Sequence, residues 1–312
     1  MVEIVTVTLN PAVDLSTSVE RVTPTLKLRG RSLRRDPGGG GINVARVITR
    51  LGGDSCAIYP VGGAIGRLLH ELLDREGVAS RTSTIGAETR ENFYVSETGT
   101  GHQYRFILPG PSLNEAEWRE CLKLLSSIEP FPRFVVASGS LPPGVPDDFH
   151  ARIARIAKQR GARMIVDTSG AALAAAVEEG VDIIKPNLSE MRALSGTDPS
   201  DAHEWEQAAR TIIRTKQVSA IALTMGHLGA TLVTPDRVLH AKPLAVTPLS
   251  AAGAGDSFLA ALVWQLALGA DLTDCFRQAV AAGAAALLSP GTGLCQPHDL
   301  KRLADQVIIE AA

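Results

Sequence analysis

Gly253-Ala254-Gly255-Asp256-Ser257 is the stretch of this 312-residue chain best equipped for chemistry. Two glycines around one small residue let the backbone turn tightly and expose its N–H groups. The apolar run from Phe258 to Trp264 follows without a break, so the turn feeds a helix N-terminus. Unpaired N–H donors and the positive end of a dipole at such a place suit an anion. Asp256 sits there too, with no basic residue close in sequence, and a carboxylate can take a proton from a substrate hydroxyl. On its own the stretch supports two readings. One is an anion hole with a base beside it, a pairing suited to phosphoryl transfer. The other is a helix merely capped by an acid after a glycine turn.

A second glycine cluster, Asp36-Pro37-Gly38-Gly39-Gly40-Gly41, precedes a helical period at Ile42, Val44, Ala45, Val47, Ile48 and Leu51. The elements that must position both clusters follow a regular rhythm. Strands are predicted at 4–9, 56–61, 134–137, 164–166, 181–184 and 220–224, with a further one at 229–233 paired to the last. Helices are predicted at 114–128, 147–160, 171–179, 187–195, 201–215 and 271–288, with a polar helix at the C-terminus. Strands alternating with helices imply an α/β fold, a mainly parallel sheet covered on both faces. Ligands bind such sheets beyond the carboxyl ends of the strands. That rim would carry Asp14, residues 38–41 and 138–140, Asp167, residues 185–187 and 224–226, and the stretch 253–256. Two segments break the rhythm: residues 15–35 and a hairpin at 90–97 and 103–108, read together as an excursion from the main sheet.

Composition narrows the function classes. The chain is 45% hydrophobic and 21% charged with a formal net charge of −2, which favours neither nucleic acid nor an acidic membrane surface. Its four cysteines form no C-x-x-C pair, so neither zinc site nor disulfide framework is suggested, and a cytoplasmic setting is expected. The stretch from Met1 to Val5 lacks the features of a signal peptide, and residues 279–288 are too short to span a membrane. No Walker loop, G-x-G-x-x-G, G-x-S-x-G or H-E-x-x-H occurs, and no histidine sits in a motif.

Four motifs in order resemble one family. Gly38-Gly39-Gly40-Gly41-Ile42-Asn43-Val44-Ala45 and Gly253-Ala254-Gly255-Asp256-Ser257 are similar to the two signatures of the PfkB (ribokinase-like) carbohydrate kinases. Between them lie Lys185-Pro186-Asn187-Leu188-Ser189-Glu190, like that family's N-x-x-E motif, and Thr224-Met225-Gly226-His227-Leu228-Gly229, like its nucleotide-site turn. The stretches 37–46, 103–106 and 138–145, with Gly291-Thr292, are most like members acting on fructose 6-phosphate. Members acting on fructose 1-phosphate or tagatose 6-phosphate usually carry lysine where Gly40 stands, and those activities are the alternative.

The resemblance implies a three-layer α/β/α sandwich over 1–312, with a small β lid formed by about 15–35 and 88–108. It implies Asp256 as general base and the N–H groups of Gly253, Ala254 and Gly255 as the anion hole. Asp14, Gly39 and Asn43 would bind sugar hydroxyls; Arg90, Arg105 and Ser140 would hold the sugar's phosphate, with Lys27 reaching ligand from the excursion. Lys185 would meet ATP phosphates, Asn187 the same region, and Thr224, Gly226 and Gly229 the adenosine. Glu190 would organise Mg²⁺ through water, unless Asn187 and Glu190 are only a capping pair. Carbonyls of Ser250, Ala252, Ala286, Ser289 and Gly291 would hold a monovalent cation such as K⁺. Lids of this family pair between subunits, which implies a homodimer. Two departures stand out. Ala251 lacks a hydroxyl common just before the catalytic turn, which leaves a non-catalytic sugar-phosphate or nucleotide sensor as a reading of another class. Gly293 replaces a larger, often basic residue.

Overall fold

The computed structural model describes residues 2–311; Met1 and Ala312, the two ends of the expected domain, lie outside the described residues. The β-branched strand Ile4–Val7 is buried along its whole length, as a central strand must be. It pairs in parallel with Ser55–Val61 on one side and Phe134–Ser138 on the other, Ile4 standing opposite both Ser55 and Phe134. The sheet has ten strands. Outward from Phe134–Ser138 come Arg163–Asp167, Val181–Ile184 and Val218–Thr224, all parallel. Ala230–Val233, Val238–Ala241 and Ile309–Ala311 then extend it antiparallel.

Helices cover both faces. Gly40–Arg50, Ala254–Ala267 and Leu272–Leu287 form one apolar layer with Val44, Phe258, Leu262 and Phe276. Glu115–Ser126, Phe149–Gln159, Gly170–Glu179 and Ala202–Thr215 form the other around Leu125, Phe149, Leu173 and Trp205. Each fully buried aliphatic or Phe side chain in these layers contributes roughly 1.5–3 kcal/mol.

The excursion becomes a separate four-stranded sheet, in the order Arg34–Gly38, Ala12–Val19, Arg90–Glu97, Gln103–Phe106. It begins sooner than expected, because the chain leaves the main sheet after Val7 and pairs again from Ala12. Asp14 therefore stands on this second sheet, opposite Asp36 and Asn92. Three strands escape the sequence pattern. Ala79–Thr84 is an edge strand whose face alternates weakly, and pairing with Ser55–Val61 decides its conformation. Val238–Ala241 and Ile309–Ala311 are short, and the polar helix Pro297–Ala304 is followed by a strand, the last of the described elements.

Candidate active site

The helix Ala254–Ala267 starts inside the glycine turn itself. Gly253 is its N-cap at φ 75°, a left-handed conformation that favours glycine, and a Cβ there would overlap the Leu294 side chain. The first intrahelical bond runs from Ser257 N to the Gly253 carbonyl at 2.9 Å. The N–H groups of Gly253, Ala254, Gly255 and Asp256 meet no acceptor among the described residues. Asp256 thus lies in the first turn, two residues past Ala254, and is not the N-cap. That removes the simple capping alternative.

Asp256 is half-buried, and Asn43 Nδ2 donates to its Oδ2 at 2.8 Å. Burial pushes the Asp256 carboxyl up to about 6, with Asp167 adding to the rise and Asn43 and Lys185 opposing it. A base with that affinity is ionised at neutral pH yet still a competent proton acceptor.

Asn43 reaches this place because its own helix begins tightly. Gly39 caps the helix Gly40–Arg50 at φ 117°, and Ile42 N is anchored to Thr8 Oγ1 at 2.9 Å. A Cβ at Gly41 would stand 2.6 Å from Thr8 Oγ1. Gly40 is as confined: a Cβ there would overlap Ser138 Oγ and stand 2.9 Å from Gly139 N. Asp14 is 3% exposed and accepts from Asn92 Nδ2 at 2.8 Å. Burial raises its pKa, against Asn92, Arg46 and Arg90. A Cβ at Gly38 would stand 2.6 Å from the Asp14 carboxylate, so glycine there leaves that carboxylate its place.

Lys185 closes the other side. It is 6% exposed and pairs with Asp167 at 3.0 Å. Burial works against its charge, but Asp167 outweighs it and holds the pKa above the usual lysine value. A Cβ on Gly255 would lie 3.2 Å from Lys185 Nζ, so the ammonium sits directly beside the glycine turn. Asn187 and Glu190 form a full capping box, Asn187 Oδ1 accepting from Glu190 N at 2.9 Å and Glu190 Oε2 from Asn187 N at 2.8 Å. Glu190 keeps its other carboxylate oxygen, and burial raises its pKa, with Asp167 adding to the rise. Thr224 bridges Asn187 across the sheet end; Gly226 opens a short 3₁₀ turn, and Gly229, at φ 96°, has no room for a Cβ against the Ala241 carbonyl.

The remaining residues are spread more widely. Arg90 donates to the Asn10 and Leu108 carbonyls, both at 2.9 Å, and its buried Nε has no partner among the described residues. Ser140 accepts from Asn10 Nδ2 at 3.1 Å. Arg105 is exposed and lies over the Tyr94 ring at 5.6 Å. Lys27 is exposed and makes no side-chain hydrogen bond or ion pair among the described residues. Leu249 N and Ser250 N both donate to the Leu287 carbonyl, at 2.7 and 3.3 Å, which ties the turn to the end of the helix Leu272–Leu287. The carbonyls of Ser250, Ala252, Ser289 and Gly291 receive no hydrogen bond among the described residues, whereas that of Ala286 takes Ser289 N–H at 3.1 Å.

Several neighbours have no role assigned from the sequence. Asn10 and Asn92 are single polar residues on unremarkable segments. Gln103 reaches across to accept from Ser250 Oγ at 3.1 Å, and Thr292 donates to Asp36 Oδ2 at 3.1 Å. Both contacts join the small sheet to the loops flanking the 253–256 turn.

Comparison with known proteins identifies the family. A family model described as "pfkB family carbohydrate kinase" matches residues 3–299. The ATP-dependent 6-phosphofructokinase isozyme 2 of Mycobacterium tuberculosis (strain ATCC 25618 / H37Rv) is 43% identical over 299 residues, covering 96% of this chain and 88% of the relative. A 1-phosphofructokinase of Xanthomonas campestris pv. campestris is 32% identical over 312 residues, covering 98% of each. Phosphofructokinase-2 from Escherichia coli has been solved in complex with potassium, with a TM-score of 0.93 at 39% identity. It has also been solved with fructose-6-phosphate, with a TM-score of 0.92 at 38% identity. Both structures cover 98% of this chain and 99% of their own. With a family model matched over 3–299 and a 43% identical relative aligned along almost its full length, the chain belongs to the pfkB family of carbohydrate kinases.

Proposed function

We propose that the chain transfers the γ-phosphoryl group of ATP to fructose 6-phosphate, giving fructose 1,6-bisphosphate. The observation that carries this is the pairing at one helix N-terminus: four N–H groups without an acceptor among the described residues and the raised carboxyl of Asp256, flanked by Lys185. Asp256 takes the proton of the attacking hydroxyl, a step typically worth about 10²–10⁴-fold. The N–H groups of residues 253–256 and the Lys185 ammonium hold the charge that develops on the transferring group, each donor worth roughly 3–4 kcal/mol.

Asp14, Gly39 and Asn43 supply the hydroxyl side, with Asn92 fixing the Asp14 carboxylate. Arg90, whose buried Nε lacks a partner, and Ser140 are the nearest candidates for the sugar's own phosphate; Arg105 would join them from the hairpin. Glycine at position 40, where members acting on fructose 1-phosphate or tagatose 6-phosphate usually carry lysine, favours fructose 6-phosphate. Thr224, Gly226 and Gly229 form the adenosine side, and Asn187 holds the short helix that presents Glu190.

No three His, Cys, Asp or Glu side chains cluster as direct metal ligands among the described residues. The donors present fit Mg²⁺ held through water by Glu190 and by the nucleotide's phosphates, where it would neutralise phosphate charge. The unbonded carbonyls of Ser250, Ala252, Ser289 and Gly291, with Ala286 beside them, suit a weakly hydrated monovalent cation such as K⁺. The small sheet, with Lys27 on its long connection, would act as a lid that excludes water. Its exposed Leu26, Leu33, Phe106 and Ile107, at 53–65% exposure, support pairing with a second copy. A cytoplasmic setting fits the ATP requirement, and no helix among the described residues is long and apolar enough to cross a membrane.

The test is coupled ADP release with fructose 6-phosphate, fructose 1-phosphate and tagatose 6-phosphate, wild type beside Asp256→Asn. Turnover of fructose 6-phosphate lost in the variant is expected. Tight ligand binding without turnover would mean a sensor, and preference for fructose 1-phosphate would overturn the substrate assignment.

A further inference from the structure

Arg46 heads the fully buried side chains by size, an unusual place for a permanent charge. It lies three residues past Asn43 on the helix Gly40–Arg50, hence on the same face. Its Nε and Nη2 grip the Glu76 carboxylate, at 3.1 Å and 2.7 Å, just past the helix Gly63–Arg75. Its Nη1 donates to the Pro37 carbonyl at 2.7 Å and to Asn43 Oδ1 at 3.2 Å. Arg50 shares Glu76 at 2.8 Å, Asp36 lies 3.8 Å from Arg46 Nη2, and Arg34 pairs with Asp36 at 2.8 Å, so three guanidiniums face two carboxylates. Burial works to raise the Glu76 pKa, but Arg46 and Arg50 outweigh it and hold it low.

A guanidinium can only donate. The Asn43 atom that meets Arg46 must therefore be the amide oxygen. The amide nitrogen then points the other way, to Asp256 Oδ2 at 2.8 Å. We propose that Arg46 is a positioning residue for the phosphoryl transfer: it fixes the rotation of the Asn43 amide, which in turn fixes the Asp256 carboxylate. This rests on the kinase function proposed above. With one Asp256 oxygen occupied by Asn43, the other is left to meet the sugar hydroxyl. A flipped Asn43 would set its oxygen against the carboxylate, acceptor against acceptor. Lysine cannot substitute, because one ammonium cannot reproduce a planar fork that spans Glu76, Pro37 and Asn43.

The experiment measures kcat and KM for ATP and fructose 6-phosphate in Arg46→Lys and in the pair Arg46→Gln with Glu76→Gln. The pair removes both charges together, so neither is left buried alone, and it serves if Arg46→Lys does not fold. Each is also made in an Asn43→Ala background, beside wild type and Asp256→Asn. The folded variants should lose about 10- to 100-fold in kcat, the scale of a small misplacement of a reacting group, with KM for ATP within about threefold. The acidic limb of kcat should move upward: the groups facing Asp256 are Asn43, Lys185, Asp167 and Asp14, and of these Asn43 alone is hydrogen-bonded to Arg46. With Asn43 already alanine, the Arg46 changes should cost about twofold or less.

A folded variant with kcat and acidic limb like wild type overturns the proposal. So does an equal loss in the Asn43→Ala background, which would make Arg46 merely structural. Failure of wild type to phosphorylate any of the sugar phosphates would instead overturn the kinase function. Wild-type turnover, an inactive Asp256→Asn and an unaffected Arg46→Lys would overturn this inference alone.

Discussion

Replacing Asp256 by asparagine should abolish most activity and at the same time stabilise the protein, with a gain that grows as pH rises. The carboxyl is raised from 3.8 to about 6 by burial and by Asp167. Between those values the native state keeps a proton that the unfolded chain releases. Stability therefore falls as pH rises through this window and levels off above about 6. The penalty is about 1.5 kcal/mol at pH 5 and about 3 kcal/mol at pH 8, order-of-magnitude figures that follow from the shift. Asparagine cannot ionise, so the variant escapes both. Its fixed offset from losing or keeping the Asn43 contact is the same at every pH and cancels from the slope. At roughly 2 °C per kcal/mol for a chain of this length, the Tm advantage should widen by about 3 °C between pH 5 and pH 8. Thermal unfolding of both proteins across that range, without ligands, reads it directly. A difference that is flat, or that narrows with pH, would refute the electrostatic account of Asp256. Activity within tenfold of wild type would refute its role as base.

The other perturbations test the same site from different sides. Lys185→Met leaves Asp167 buried without its cation; the acidic limb of kcat/KM should move upward, KM for ATP should rise, and stability should fall by about 3–5 kcal/mol. A pH profile no different from wild type would show that Lys185 is remote from the base. Gly253→Ala should be far worse than Gly255→Ala: the first forces alanine into φ 75° against Leu294, costing about 1–3 kcal/mol in strain alone, while the second has ordinary backbone φ and meets only the tip of the Lys185 side chain at 3.2 Å. Equal unfolding midpoints for the two variants would contradict that assignment. Gly38→Ala should raise KM for fructose 6-phosphate through displacement of Asp14, leaving KM for ATP within about twofold. A rise in the ATP value instead would place Asp14 on the wrong substrate.

What the sequence discloses about this site depends on how local the signal is. The two glycine clusters are legible because a turn and a helix start are decided within a few residues, by φ and by the apolar run that follows. The ribokinase-like sheet is legible because its buried strands read as continuous β-branched runs. Ala79–Thr84 is not, since an edge strand with polar residues takes its conformation from the strand beside it. Asn10 and Asn92 are silent, and Gln103 shows no contact role of its own, for a related reason. Each matters through one partner 78 to 147 positions away, and nothing in its own neighbourhood marks the pairing. Arg46 is the sharpest case: it reads as an ordinary helix cation, and only the convergence of Glu76, Pro37 and Asn43 makes its burial tolerable.

Ala251 shows how far a departure from a motif can matter. The missing hydroxyl would have stood on an exposed residue, outside the buried parts of the turn. Its neighbour Ser250 cannot stand in, because its hydroxyl accepts from Ala252 N at 3.1 Å and donates to Gln103 Oε1 at 3.1 Å. That hydroxyl is spent on shaping the loop and tying it to the small sheet. On the function proposed above, stabilisation of the transferring group would then fall on the backbone N–H groups of the turn and on Lys185. Those donors are set by Gly253, by the buried helix Ala254–Ala267 and by the Lys185–Asp167 pair, none of which depends on the side chain at 251. The substitution therefore removes one exposed donor and leaves the preorganised ones in place, which is the difference between a slower kinase and a binding protein.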